Sequence, residues 1–303
     1  MTTFTDRWRS NFNGDNSGGG NLADILLQNS NGSLAQWFMN GATIGATANL
    51  PNPGPTWHAI GPAGDLDTVG APFSDIVFQN DNGAIAAWRM QASTILQQTN
   101  LPNPGPTWHV IATNDFNGDT GADILLQNNN GALATWFMNG TTIGAQADLP
   151  NPGATWHAVS TGDYNADGRA DIFLQNDNGA TAIWLMNGAT KIGEANLTNV
   201  GTTWDVEASA DFDGNGTADL LWQNDNGAAA IWLMNGTTIT SQVDLANNGP
   251  TWDIEAARDF NGDNRADILW QNDNGASAIW FMNGTTVAAQ ADLPNPGATW
   301  DLL

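Results

Sequence analysis

The stretch Asp163–Asp171, D-Y-N-A-D-G-R-A-D, carries an oxygen-bearing side chain at its first, third, fifth and ninth positions. In a tight turn the first three converge on one point, a main-chain carbonyl from the seventh position joins them, and the ninth position closes the shell. Such a set suits calcium, which takes about six to eight hard oxygen ligands at roughly 2.3 to 2.6 Å. The side-chain ligands are then Asp163, Asn165, Asp167 and Asp171; Arg169 offers its carbonyl and Gly168 permits the sharp turn. The segment runs at once into Ile172 to Gln175, which reads as a strand. An EF-hand loop needs a Glu at its twelfth position and flanking helices, so this is a different loop.

The closing aspartate returns as Asp24, Asp75, Asp123, Asp171, Asp219 and Asp267, separated by 51, 48, 48, 48 and 48 residues. Two tryptophan series keep the same intervals: Trp37, Trp88, Trp136, Trp184, Trp232, Trp280, and Trp57, Trp108, Trp156, Trp204, Trp252, Trp300. Three registers with one period define six repeats, approximately 1–61, 62–112, 113–160, 161–208, 209–256 and 257–303, in a single domain spanning 1–303. Residues 155–202 contain four short strand patterns, at 155–162, 171–176, 180–187 and 190–197. They are joined by the calcium loop, by N-D-N-G and by N-G, the last a strong hairpin signal. Proline in the following L-P-N-P-G segments of other repeats stops the strand. Four antiparallel strands in about 48 residues make one propeller blade.

The expected fold is therefore all-β, a β-propeller of six four-stranded blades. Closure is open at this level: T-W-D-L-L at 299–303 begins a first strand for which residues 3–12 compete. Either the ends pair, or a seventh blade is completed by terminal strands or another chain.

Four loops are complete. They are Asp115, Asn117, Asp119, Gly121, Asp123; Asp163 to Asp171 as above; Asp211, Asp213, Asn215, Thr217, Asp219; and Asp259, Asn261, Asp263, Arg265, Asp267. The first repeat has Asn11, Asn13 and Asp15 followed by five added residues, and the second has Asp65 and Asp67 followed by Val69 and a Pro-containing insertion. Weak or absent calcium is expected in both.

Composition narrows the partners. A net charge of −24, from 31 acidic against 7 basic residues, argues against a phosphate backbone or an anionic membrane. Four calcium ions would bring it to −16, adding +2 each to the −24. The absence of Cys excludes disulfides and thiol chemistry. No apolar run approaches a membrane span, and M-T-T-F-T-D-R-W-R-S lacks the apolar core of a signal peptide.

The Trp37 series reads as core, whereas the Trp57 series divides between core and sugar-stacking platforms. Trp222 and Trp270 replace smaller residues, Leu126 and Phe173, on the second strand and read as core. His58, His109 and His157 share one repeat position with Asp205, Asp253 and Asp301, so a ring spreads them among blades. They read as hydrogen-bonded strand residues rather than a metal site. No G-x-S-x-G, H-E-x-x-H or P-loop is present, and the carboxylate pairs are explained by the loops, so no enzyme is expected.

The pattern W-x(6)-D-F-N-G-D-x-x-A-D-I-L-W-Q-N followed by A-I-W-x-M-N-G resembles the FG-GAP and VCBS-type repeats of bacterial surface and secreted proteins, relatives of the integrin α-subunit propeller. The resemblance covers essentially the whole chain. It implies an innermost first strand, calcium loops on the lower face, and an upper face that binds ligand at or between blades. The expected function is a calcium-stabilised, extracellular binding module recognising carbohydrate at repeated shallow sites, one built from Trp156, His157, Asn176, Asp177 and Asn178. The alternative is a protein-interaction scaffold or adhesin repeat, with Arg89 and Gln91 in its patch. A polysaccharide-active enzyme is the third reading.

Overall fold

The computed structural model describes residues 11–12, 22–67 and 73–303. Asn13, Asp15, Val69 and a strand at residues 3–10 lie outside the described residues. Among the described residues there is no helix, and the strands form six four-stranded antiparallel sheets. Blade four shows the pattern: Trp156–Gly162, Asp171–Asn176, Thr181–Asn187 and Thr190–Asn196, paired in that order. Blade two starts at Trp57–Pro62, blade three at Trp108–Asn114, blade five at Trp204–Ala210 and blade six at Trp252–Arg258. These first strands touch one another in sequence and line the centre.

Blade one settles the closure. Its first strand is the C-terminal Trp300–Leu302, paired antiparallel to Ile25–Asn29 through Leu27↔Leu302 and Asn29↔Trp300. The ring is a six-bladed β-propeller whose last strand completes the first blade. Each sequence repeat consequently hands its final strand to the next blade, as Trp156 at the end of repeat 113–160 does to blade four.

Burial follows strand position. The second strand of blade four is buried along Asp171–Gln175, because neighbouring blades cover both of its faces, and it reads as a near-continuous apolar run. The fourth strand alternates exposed and half-buried residues at the rim. Trp37, Trp88, Trp136, Trp184 and Trp280 are buried, whereas Trp232 is half-buried. Trp222 and Trp270 are core residues at 1% and 0% exposure. Their register partners place them level with Leu126 and Leu174, not Phe173, which occupies the adjacent register.

One glutamine per blade fastens it to the next. Gln127 donates Nε2 to the Trp156 carbonyl at 2.7 Å and accepts the Ala158 amide on Oε1 at 2.9 Å. The side chain thus imitates a strand edge across the blade boundary. Gln28, Gln79, Gln175, Gln223 and Gln271 repeat the pair around the ring.

Candidate metal-binding loops and upper-face notches

Each complete loop joins the first and second strands of its blade, from blade three to blade six, on the face termed lower here. Its backbone is left-handed at the fourth and sixth positions: Gly118 and Thr120, Ala166 and Gly168, Gly214 and Gly216, Gly262 and Asn264. A β-branched Thr at φ 79° costs of order 1–3 kcal/mol, so the loop geometry imposes this conformation on the residue. The first-position carboxylate turns inward and gathers amides. Asp211 accepts Gly214 N at 2.7 Å on Oδ1 and Gly216 N at 2.8 Å on Oδ2. The third and fifth positions make Asx turns, as Asn117 does with the Asp119 amide and Asp119 with that of Gly121.

The ninth-position aspartate has a second task. Asp171 accepts the Tyr164 amide at 3.0 Å and the Met186 amide at 2.7 Å, tying the loop to the third strand. Asp123, Asp219 and Asp267 do the same, and so do Asp24 and Asp75 in the divergent repeats. The second position plugs the core: Phe116, Tyr164, Phe212 and Phe260 are fully buried. From the eighth position, the Ala170 amide donates to the Asp115 carbonyl of the preceding loop at 2.7 Å. Ala218–Asp163, Ala266–Asp211, Ala23–Asp259, Ser74–Asn11 and Ala122–Asp65 continue this belt until it closes.

Burial dominates the electrostatics of the closing carboxylates. It pushes Asp123, Asp171, Asp219 and Asp267 each up to about 7, against the amide hydrogen bonds and with the loop's other acids reinforcing it. Burial also raises Asp115, Asp163 and Asp211. Carboxylates held this close favour either protons or a cation. In blade five, oxygens of Asp211, Asp213 and Asp219 all lie within 4.8 Å of one another. That is about the width of a shell of ligands at roughly 2.4 Å from a central calcium, so the donor set fits the ion.

Blade two differs. Asp67 pairs with the Arg89 guanidinium, reaching from the third strand where other blades have Phe137 or Leu185. Asp65 rises to about 6 through burial, countered by the Asp67 amide. A protein cation therefore neutralises this loop from within. In blades four and six Arg169 and Arg265 instead reach back, their Nε donating to the Asn117 and Asp213 carbonyls of the preceding loops at 3.3 Å.

On the opposite, upper face, the residues singled out near Trp156 separate into two roles. Asn176 donates to Thr155 Oγ1 at 2.9 Å and caps the turn through the Asn178 amide, and Asn178 accepts the Ala180 amide at 2.9 Å. These two asparagines build the turn. Its Gly179, at φ 80°, lies so close to the next linker that a Cβ would sit 2.1 Å from the Gly201 carbonyl oxygen. His157 and Asp177 remain exposed and meet at 2.7 Å. Trp156 and His157 line a notch with His109, Asn128 and Asn129 of blade three, so the notch lies between blades and not within blade four's own turn. A similar notch holds His58, Asp81, Trp108 and His109. The three histidines do not converge, since each bonds its own blade's turn: His58 to Asp81, His109 to Asn129 and His157 to Asp177. Between blades five and six the notch is acidic, with Asp205, Glu207, Asp225 and Asp253. Burial and the neighbouring acids raise Glu207 to about 7 and Glu255 to about 8.

An FG-GAP-like repeat model matches residues 115–174, 163–222 and 211–270, which together span the four complete loops. The chain belongs to the FG-GAP-like repeat family. A propeller of FG-GAP repeats is a binding or interaction module. No curated protein matches the chain. Among solved structures it is similar to Chaetomium thermophilum Raptor, at 8% identity and a TM-score of 0.48, over 89% of this chain and 24% of that one. The chain thus spans about a quarter of the Raptor chain's length. It is also similar to BBS1N, solved in complex with ARL6DN, at 12% identity and a TM-score of 0.49, over 96% of this chain and 86% of that one.

Two parts of this FG-GAP propeller are not evident from its sequence. The fourth-position left-handed residue was hidden where it is Ala166 rather than glycine, although Gly118, Gly214 and Gly262 mark it elsewhere. The bridging glutamine recurs in every D-x-x-x-Q, a period that was available but whose partners lie 29 to 31 residues away.

Proposed function

We propose that the FG-GAP propeller is a calcium-stabilised carbohydrate-binding protein of the cell exterior. The observation that carries the calcium reading is the convergence of Asp211, Asp213 and Asp219 oxygens in a loop whose pattern recurs in blades three to six. The ion would be held by the side-chain oxygens of the first, third, fifth and ninth positions and the seventh-position carbonyl, supplying the positive charge that those clustered acids otherwise lack. Extracellular modules of this kind bind calcium at roughly 10⁻⁴ to 10⁻³ M, a range that supports a location where calcium is abundant. Its role there is binding rather than catalysis.

The carbohydrate reading rests on the upper face, where half-buried tryptophans alternate with exposed His, Asn and Asp around the ring. Repetition of one shallow site suits weak ligands presented in several copies, because linkage multiplies their avidity. A glycan array probed with calcium-loaded protein, with a duplicate in chelator, tests this. Selective binding that chelator abolishes is expected. A blank array from folded, calcium-loaded protein would shift the assignment to a protein partner.

A further inference from the structure

The outer part of blade three, beneath the linker that arrives from blade two, carries an open groove of about 410 Å³. Two tryptophans line it, half-buried Trp108 and buried Trp136, together with Pro102 and Pro104 of the linker. Leu126, Gln146 and Asp148 complete the part that matters. The registers Ala134↔Leu126, Ala134↔Asp148 and Trp136↔Gln146 place these side chains beside one another across three strands. Gln146 and Asp148 are exposed, so an apolar interior opens onto a polar edge.

In four other blades a side chain packs against the counterpart of Trp136. Phe78 lies 4.7 Å from Trp88, Trp222 lies 4.7 Å from Trp232, and Trp270 lies 5.0 Å from Trp280, ring to ring. In blade four the Lys191 ammonium stands 4.3 Å from the centre of the Trp184 ring. Blade three has Leu126 at the position of the extra aromatic and Ile143 at the register of Lys191. Leu126 lines the groove at the register that the larger Trp222 and Trp270 occupy in their blades.

We infer that this groove is a sugar subsite for a neutral pyranose. The inference rests on the carbohydrate reading above and gives it a location. The apolar face of a pyranose ring matches an indole face, while its hydroxyls donate to the Asp148 carboxylate and exchange hydrogen bonds with the Gln146 amide. The volume falls within the range of about 300 to 1,000 Å³ usual for small-ligand pockets. The fixed negative charge of Asp148 selects against uronic acids, because like charges repel.

The test is calorimetric titration of the calcium-loaded full chain with methyl glycosides of glucose, galactose, mannose and N-acetylglucosamine, and with methyl glucuronide. Leu126→Trp copies the residue that blades five and six already accommodate, and Asp148→Ala alters an exposed side chain. Melting curves verify that both variants fold. The groove predicts that a neutral glycoside binds the parent protein, that both variants weaken it at least tenfold, and that glucuronide does not bind. Unchanged affinity in both folded variants overturns the groove and leaves the carbohydrate reading standing. A parent protein that binds none of the glycosides overturns the groove, and the glycan array then decides the carbohydrate reading.

Discussion

The loops of blades one and two can be set against those of blades three to six. All six keep the closing aspartate with its two amide hydrogen bonds, and all six keep the carbonyl-to-amide belt that links neighbouring loops. What the first two blades have given up is the intact nine-residue spacing: blade one has Asn11, Asn13 and Asp15 but five added residues before the closing aspartate, and blade two breaks its run at Val69 and has put the Arg89 guanidinium against Asp67. The fastening thus resides in the closing aspartate and the belt, whereas the proposed metal site needs the alternate oxygens of the loop as well. A blade can lose the second and retain the first.

The largest effect expected from this division falls on the fastening. Asp75→Ala and Asp171→Ala each leave two buried amides without an acceptor, which costs roughly 3–5 kcal/mol in either blade. Urea unfolding in the absence of calcium measures it. No loss for either variant without calcium, with a loss for Asp171→Ala appearing only when calcium is added, would show that the aspartate acts only through the metal. Gln175→Leu is next: it strips the blade boundary of a donor and an acceptor and lowers stability by about 2–3 kcal/mol, with or without calcium. Equal stability of that variant and the parent would remove glutamine from the shared framework.

Smaller effects separate the loops themselves. Thr120→Gly relieves a β-branched residue at φ 79° and stabilises blade three by about 1 kcal/mol, measured by the urea midpoint. A destabilised variant would mean that the threonine makes a contact worth more than its strain.

The mildest effect is the part of the pH dependence carried by two upper-face glutamates of blades five and six, beside the part carried by the loop carboxylates. Glu207, near Asp205 and Asp253, and Glu255, near Asp253, Asp301 and Glu207, titrate at about 7 and 8 in the fold against 4.5 for an ordinary glutamate. The folded state holds more protons there, so their contribution is fully present below pH 4.5 and is lost as pH rises through 7 to 8. Glu207→Gln with Glu255→Gln should flatten that part of the melting temperature against pH. An unaltered slope would place its origin elsewhere.

Much of this was legible in the chain. The strands of blade four begin and end within a residue or so of the patterns at 155–162, 171–176, 180–187 and 190–197, because the fixed recurrence of Trp156, Asp171 and Trp184 left little freedom of register. Closure was not legible: Trp300–Leu302 shows its partner only once Leu27 lies beside it. The upper-face grouping was read as one pocket because Asn176, Asp177, Asn178, Trp156 and His157 are all polar or aromatic at one level of the fold. Sequence does not say which way a side chain turns. Asn176 and Asn178 turn into their own loop, while Trp156 and His157 line the notch toward the neighbouring blade, the His157 ring being held by Asp177 of its own turn. Phe173 was aligned one register away from Trp222 for a similar reason, since adjacent apolar residues on a strand buried on both faces give no alternation to fix the phase.

The most direct test of the account is the number of calcium ions bound per folded chain, counted by calorimetric titration of chelator-stripped protein. At about 10 mM calcium and a Kd of roughly 10⁻⁴ to 10⁻³ M, each filled loop should add about 1.4 to 2.7 kcal/mol of stability. The account predicts four ions, and the loss of one for each of Asp115→Ala, Asp163→Ala, Asp211→Ala and Asp259→Ala. No binding, or six ions shared equally among the blades, would contradict it.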